Sequence, residues 1–136
     1  MTSSRMETLA LLALALLATP RRASAQRTWR EIGPTSSGNM VSVDPRSIHR
    51  TGSLVAATVR VVFTTPVQTP EGLWKSSQTR ATFDCAHRSL AAKENVYYAD
   101  ARGVKVVERK VNRLPGYGPA LTGSLGEIAL TYLCRR

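Results

Sequence analysis

The chain has 136 residues, of which 43% are hydrophobic and 21% are charged, and 19 basic against 9 acidic side chains give it a net charge of +10 at neutral pH. This length suits one domain and leaves little room for a second domain of ordinary size. The positive charge favours anionic partners such as lipopolysaccharide, sulfated glycans or extracellular nucleic acid, because electrostatic attraction acts over long distances. It carries no information about the fold.

The first 25 residues have the pattern of an export signal. Arg5 precedes an unbroken apolar run from Leu9 to Ala18, and the small residues of Ala23–Ala25 predict cleavage directly after them. The apolar run is about half as long as a membrane-spanning helix, which needs roughly 20 residues. We therefore expect residues 1–25 to be a signal peptide and residues 26–136 to be one exported domain. Its net charge is +8, because the signal contains three arginines and one glutamate.

The two cysteines of this domain, Cys85 and Cys134, favour a disulfide, because small exported domains commonly depend on one. A zinc site would have to recruit His49 and His87, and a Cys-x-His pair with two scattered partners matches no standard ligand spacing. A reactive thiol would need an adjacent base and an electropositive pocket. From the residues alone a metal site and free thiols stay open as alternatives, and no metal or cofactor is expected.

Six segments of the domain have the composition and alternation of β-strands. They cover residues 27–34, 39–44, 53–65, 75–85, 88–100 and 104–111. The third is the clearest, because every second residue from Val55 to Phe63 is apolar. Pro66 and Pro70 are expected to end this strand, since proline cannot donate a ladder hydrogen bond. The fifth segment is compatible with a helical start, although Val96–Tyr98 favours a strand at its end.

A short amphipathic helix is predicted at the C-terminal end. Ser124 and Glu127 have the spacing of a capping box, in which the serine oxygen accepts the amide of Glu127 and the glutamate reaches back to the serine amide. Apolar side chains from Leu125 to Cys134 cover more than half of the helix circumference, so the helix must lie on an apolar surface. The valine face of the sheet offers that surface, and Cys85 is a suitable partner for Cys134 there.

The order of several short motifs resembles the surface-adhesin protein E-like domains of bacterial envelopes. These motifs are TWREIG at 28–33, VDPRSI at 43–48, FDC at 83–85, YYAD at 97–100 with Gly103 after it, and GSLGEIALTYLC at 123–134. The resemblance spans nearly the whole exported domain and implies an α+β fold, a six-stranded antiparallel sheet with a C-terminal helix packed on one face. It also implies that a disulfide between Cys85 and Cys134 tethers the helix, and that the protein binds host matrix or plasma proteins.

No arrangement of side chains points to catalysis. The acidic residues are scattered, and the sequence contains no nucleophile-elbow, zinc-protease or phosphate-loop motif. Asp44, which precedes Pro45, is expected to accept amide hydrogen bonds within a turn. His49 and His87 are expected to be ordinary surface residues. We therefore expect no enzymatic activity.

One cluster of basic residues is a candidate site for an anionic ligand. It comprises Arg102, Lys105, Arg109, Lys110 and Arg113, in and around the sixth predicted strand. Alternation along a strand would put Lys105 and Arg109 on one face, where they could bind phosphate or sulfate. Cationic side chains on an edge strand also prevent sheet-to-sheet aggregation, and this structural explanation is the favoured one. The aromatic residues are expected to belong to the core.

These features predict an exported, non-enzymatic binding module of the bacterial envelope, in the periplasm or at the cell surface. Its expected partner is an anionic macromolecule or a host matrix protein, without specific recognition of nucleic acid and with at most peripheral contact with a membrane. The alternative is a structural or assembly role in the periplasm, in which the sheet meets another envelope protein or forms a homodimer. Leu54, Ala56 and Val62, which alternate on the outer face, motivate this alternative.

Overall fold

The computed structural model describes residues 28–135, so the predicted signal peptide lies outside the described residues. These residues form one antiparallel sheet and one α-helix. The strands are β1 (Arg30–Pro34), β2 (Met40–Val43), β3 (His49–Thr51), β4 (Leu54–Thr69), β5 (Gly72–Asp84), β6 (Ser89–Tyr98), β7 (Val106–Val111) and β8 (Gly118–Pro119), followed by helix α1 (Leu125–Leu133). Strands β1, β2, β4, β5, β6 and β7 lie side by side in this order, while β3 pairs with β4 and β8 pairs with β6.

The described sheet has eight strands, so the six-stranded prediction is only partly right and the fold is mostly β. The six predicted strands form its main path, and the fifth predicted segment is strand from Ser89 to Tyr98. The two additional strands are short. The residues of β3 are all exposed and show no alternation, and β8 has two residues that pair with Ser89 and Leu90. Neither strand has a local pattern, because both are defined by pairing with distant residues.

Strand β4 continues beyond the point at which Pro66 was expected to end it. The strand runs to Thr69, and its pairing with β5 shifts register between Val62 and Val67. Pro66 lies inside this irregular stretch, where the missing amide hydrogen costs no regular ladder bond. Pro70 does mark the end of the strand, because it lies in the turn across which the Thr69 hydroxyl donates to the Gly72 carbonyl at 2.6 Å.

The core lies between α1 and one face of the sheet, which we call the helix face. It consists of Val41, Val43, Val55, Ala57, Val59, Val61, Ala81, Phe83, Ala129, Leu130 and Leu133. The alternating residues of β4 supply the floor, as their pattern predicts. A helix of nine residues is too short to be stable alone. The stability of α1 therefore comes from its packing against the sheet. Each fully buried leucine of the helix contributes about 1.5–3 kcal/mol.

Both ends of α1 are held by specific contacts. At its start the Ser124 hydroxyl accepts the Glu127 amide at 3.3 Å, as predicted, whereas the Glu127 carboxylate accepts the amide of Gly123 at 3.2 Å rather than that of Ser124. At its end a disulfide joins Cys134 to Cys85, with 5.4 Å between the Cα atoms. The disulfide pairing inferred from the sequence is therefore confirmed, and it fixes the helix to the end of β5.

Candidate functional site: a cationic groove on the open face

The face of the sheet opposite α1, here called the open face, contains three adjoining clefts of about 510, 210 and 380 Å³. The first and second share Gln78 and Tyr98, and the second and third share Thr58 and Arg80. We call this continuous depression the open-face groove. Its cationic side chains are Arg60, Arg80, Lys93, Arg102 and Arg109, and its other titratable or aromatic side chains are Trp29, His49, Glu94 and Tyr98.

The register of the sheet brings the groove residues together. Arg60 of β4 lies opposite Gln78 of β5, which lies opposite Val96 of β6, which in turn lies opposite Arg109 of β7. Residues directly opposite one another across a sheet share a face, and adjacent strands are about 4.8 Å apart. Arg60 and Arg109 therefore stand at two ends of one row across the open face, about 14 Å apart at their Cα atoms. Arg80 lies opposite Glu94 in the same β5–β6 pair.

Arg60 is the most unusual side chain of the groove. Its guanidinium carbon lies 4.6 Å from the centre of the Trp29 ring, a cation–π contact that fixes its direction. Its Nε is buried without a hydrogen-bond partner, and within residues 28–135 no carboxylate forms an ion pair with it. Burial lowers the pKa of Arg60, and the nearby charge of Glu31 only partly opposes this effect. A half-buried guanidinium without a paired anion is costly and favours an anion that enters the groove.

At the end of the groove where Arg109 lies, the carboxylate of Glu94 neutralises part of the positive charge. Glu94 accepts a hydrogen bond from Arg109 at 2.8 Å and forms a longer ion pair with Arg80 at 3.8 Å. The two arginine side chains remain more than half exposed. Five lining cations outnumber the carboxylates of Glu94, in the groove, and Glu31, near Arg60, so the groove keeps a surplus of positive charge.

The loop between β6 and β7 forms one wall of the groove. The Ser76 hydroxyl donates to the Asp100 carbonyl at 2.6 Å, and the Asp100 carboxylate accepts the amides of Lys105 at 2.8 Å and Val104 at 3.1 Å. The Lys105 amide is the main reason why the pKa of Asp100 is lowered. Gly103 has a φ of +75°, and a Cβ atom there would come within 2.6 Å of the Gln78 side chain. The loop therefore sits directly on the sheet and places Arg102 over the groove.

The basic cluster predicted from the sequence is divided in the structure. Arg102 and Arg109 line the groove, but Lys110 lies on the other side, where its Nζ is 3.5 Å from Glu108. Lys110 is also within 6 Å of the stacked rings of Trp74 and Tyr97. Lys105 precedes β7, and Arg113 is exposed in the loop after it. A register shift between Tyr97 and Tyr98 interrupts the alternation, so the argument that Lys105 and Arg109 share a face does not hold.

Three cations of the groove were not among the predicted site residues. Arg60 and Arg80 lie in the regular part of the β4–β5 ladder, and Lys93 occupies the irregular position opposite the Arg80–Ala81 step of β5. Arg60 and Arg80 project from the mixed or polar faces of their predicted strands, a signal that was available from alternation. Pairing those two strands as a hairpin would have brought both arginines to one surface.

The remaining candidate residues have simpler surroundings. The Asp44 carboxylate accepts the Arg46 amide at 3.0 Å, which confirms the predicted turn. His49 lines the third cleft, whereas His87 is exposed and contacts Asp84 at 2.8 Å. This contact is the largest cause of the lowered pKa of Asp84. In the part of the chain that the structure describes, no group of three or more metal-ligating side chains is assembled. No helix in that part is long and apolar enough to cross a bilayer.

The residues that motivated the assembly alternative form only a modest apolar surface. Leu54 is 36% exposed, and Ala56 and Val62 are partly buried. Strand β3 pairs with β4 along Leu54–Ala56 and covers that edge. A homodimer through the sheet and a contact with another envelope protein stay predictions.

The domain is thus an antiparallel sheet with a tethered helix on one face and a cationic groove on the other. The chain belongs to the surface-adhesin protein E family, whose model matches residues 29–135. The chain is also similar to protein E from Haemophilus influenzae. In crystal form II of that protein the TM-score is 0.55 at 15% identity, over 87% of this chain and 94% of the other.

A second structure, of protein E from non-typeable Haemophilus influenzae, has a TM-score of 0.53 at 15% identity, over 87% of this chain and 81% of the other. A comparison with curated proteins finds no match. At this identity the structural likeness establishes the shared fold, and it assigns no role to any single residue. The function of the groove must therefore be argued from its own side chains.

Proposed function

We propose that this protein is an exported, non-enzymatic binding module of the bacterial envelope that holds anionic macromolecules in the open-face groove. The observation that carries this proposal is Arg60, a half-buried guanidinium stacked on Trp29 without a carboxylate partner among the described residues. An acidic group of a ligand would supply the missing anion. Because the groove continues past Arg80 to Lys93, it suits a polymer with repeated charges better than a single small ion.

The family and the N-terminal sequence support this role. The chain is a member of a family described as surface adhesins, and protein E from Haemophilus influenzae has the same fold. The export signal expected in residues 1–25 would deliver the domain to the periplasm or the cell surface, where sulfated glycans, lipopolysaccharide and acidic regions of host matrix proteins are accessible. A net positive charge would also speed the encounter with such partners.

The proposal is tested by titrating the purified protein with heparin, a sulfated polysaccharide, and with uncharged dextran as the control polymer. The groove variant replaces three cations (Arg60→Gln, Arg80→Gln and Lys93→Gln). Its matched control replaces three cations that do not line the groove (Lys75→Gln, Arg88→Gln and Arg135→Gln) and has the same net charge. Hydrogen bonds to charged groups contribute about 1.5–3 kcal/mol each. We therefore expect the groove variant to lose at least about tenfold in heparin affinity, whereas the control stays within about threefold.

Two results would contradict this function. Equal losses in the two triple variants would mean that heparin responds only to net charge and not to the groove. Binding that persists at about 1 M salt, where the Debye length is only about 3 Å, would mean that the contact is not electrostatic.

A further inference from the structure

A second surface, separate from the floor of the groove, combines exposed apolar and basic side chains. Of the nine large hydrophobic residues that are exposed in the described chain, six lie between residues 104 and 121. Four of them flank or belong to β7, and their exposed fractions are 70% for Val104, 53% for Val106, 59% for Val111 and 91% for Leu114. We call the segment from Val104 to Leu114 the β7 rim. Scattered exposed apolar residues are ordinary, but such a concentration on one edge marks a contact surface.

The rim is also basic. Lys105, Lys110 and Arg113 alternate with the apolar residues along it. The Asp100 carboxylate accepts backbone amides, and Glu108 pairs with Lys110 at 3.5 Å, so Lys105 and Arg113 carry the surplus positive charge of the rim. A partner that fits this surface must therefore be anionic at its surface and apolar just beneath.

The geometry points to the surface of a bilayer that contains anionic phospholipid, and we propose that the protein docks on such a membrane through the β7 rim. In the sheet formed by residues 28–135, strand β7 is an edge and pairs with β6 alone, so side chains from both of its faces can reach a flat surface. Lysine and arginine would pair with headgroup phosphates, while valine and leucine side chains would enter the boundary between headgroups and acyl chains.

A peptide strand added to β7 fits these residues less well. Such a strand would pair with the backbone of Val106–Val111. Val104 and Leu114, the two most exposed residues of the rim, lie beyond the two ends of β7 and would remain in water. A bilayer surface is not limited to the residues of β7 and would extend past its end to Leu114. Val104 also lines the first cleft of the groove, whereas Val106, Val111 and Leu114 line none of its three clefts, so the rim is tested separately from the groove through Leu114.

The test is sedimentation of the protein, as recovered from an exporting host, with vesicles of phosphatidylcholine alone or mixed with phosphatidylglycerol. We expect binding to the mixed vesicles and much weaker binding to phosphatidylcholine. Leu114→Ser should lower the affinity about tenfold. The transfer of a leucine side chain from water into an apolar layer is favourable by enough free energy to account for that factor. Leu54→Ser is the control, at a partly exposed leucine of β4 that is paired with β3 and β5, and it should change the affinity less than twofold. Lys105→Gln and Arg113→Gln should each lower it about fivefold.

A tryptophan placed at position 114 reports whether this residue itself contacts the bilayer, whatever the N-terminal residues contribute to vesicle binding. The emission that Leu114→Trp adds to that of Trp29 and Trp74, obtained by subtracting the wild-type spectrum, should shift to the blue on the mixed vesicles and should be quenched by brominated acyl chains. The inference is overturned if this emission does not change, if the two serine variants behave alike, or if both vesicle types bind equally. It is also overturned if the groove variant Arg60→Gln/Arg80→Gln/Lys93→Gln loses vesicle binding while Leu114→Ser retains it. Loss of heparin binding in that groove variant with intact vesicle binding would separate the two sites.

Discussion

Removal of the disulfide by the double substitution Cys85→Ala/Cys134→Ala should destabilise the domain by about 4 kcal/mol. The bond joins residues 49 positions apart. In the chain-entropy model a closed loop of this length lowers the entropy of the unfolded chain by about 14 cal/mol/K, which is about 4 kcal/mol at 25 °C. Domains of this size are stable by only about 5–15 kcal/mol in total, so the loss would be a large fraction.

The assay is urea unfolding followed by tryptophan fluorescence, since Trp29 and Trp74 lie in different parts of the sheet. We expect a single cooperative transition at a lower urea concentration and a melting temperature lower by roughly 15–30 °C. Wild-type protein that has been reduced and alkylated should behave like the double variant. Because Leu130 and Leu133 are fully buried, their packing should keep α1 on the sheet in the variant.

A loss below about 1 kcal/mol would refute the entropic reasoning, because the unfolded chain would then gain little freedom when the bond is absent. Unfolding in two separate steps would refute the structural part. It would show that α1 depends on the covalent bond rather than on its packing against the helix face.

Three further predictions concern packing, the groove wall and pH. Leu133→Ala should cost about 2–5 kcal/mol in urea unfolding, because it empties a fully buried site, whereas Leu114→Ala, at 91% exposure, should change stability by less than about 0.5 kcal/mol. Gly103→Ala and Gly38→Ala both put alanine at a positive φ, and each should lower the free energy of unfolding by about 1–2 kcal/mol. Only the Cβ atom of Gly103→Ala meets the Gln78 side chain, so only this variant should also weaken heparin binding. Because the pKa of Asp100 is lowered in the folded state, its carboxylate stabilises that state at pH values above the ordinary carboxyl pKa of about 4. This contribution is lost as the pH falls through the lowered pKa. Asp100→Asn should therefore flatten the loss of stability in acid, and an unchanged acid profile in urea unfolding would contradict this role.

Local patterns predicted the elements whose partners are nearby or whose faces are uniform. Alternation from Val55 to Phe63 identified the floor of the core, and the spacing of Ser124 and Glu127 identified the start of α1. Patterns failed where long-range pairing decides the structure. Strand β8 exists because Gly118 and Pro119 meet β6, and Pro66 is tolerated because β4 and β5 shift register around it.

The groove was only partly predictable for a related reason. The sequence draws attention to basic residues that are close along the chain, such as Arg109 and Lys110, but alternation sends such neighbours to opposite faces. The structure instead combines Arg60, Arg80 and Arg109 from three different strands with Arg102 from a loop. Their proximity depends on register across the sheet and on how the loop folds back on Ser76, neither of which a single strand pattern contains.

The most direct test of the proposed function is to follow the arginine side-chain Nε–Hε signals by NMR while a short heparin fragment is added. We expect the signals of Arg60, Arg80, Arg102 and Arg109 to move together and to saturate at one ligand concentration, with Arg60 included because no carboxylate among residues 28–135 pairs with it. Arg46 and Arg88, which do not line the groove, should not move. Shifts confined to arginines outside the groove, with Arg60 unaffected at saturation, would contradict the claim that the open face is the binding surface.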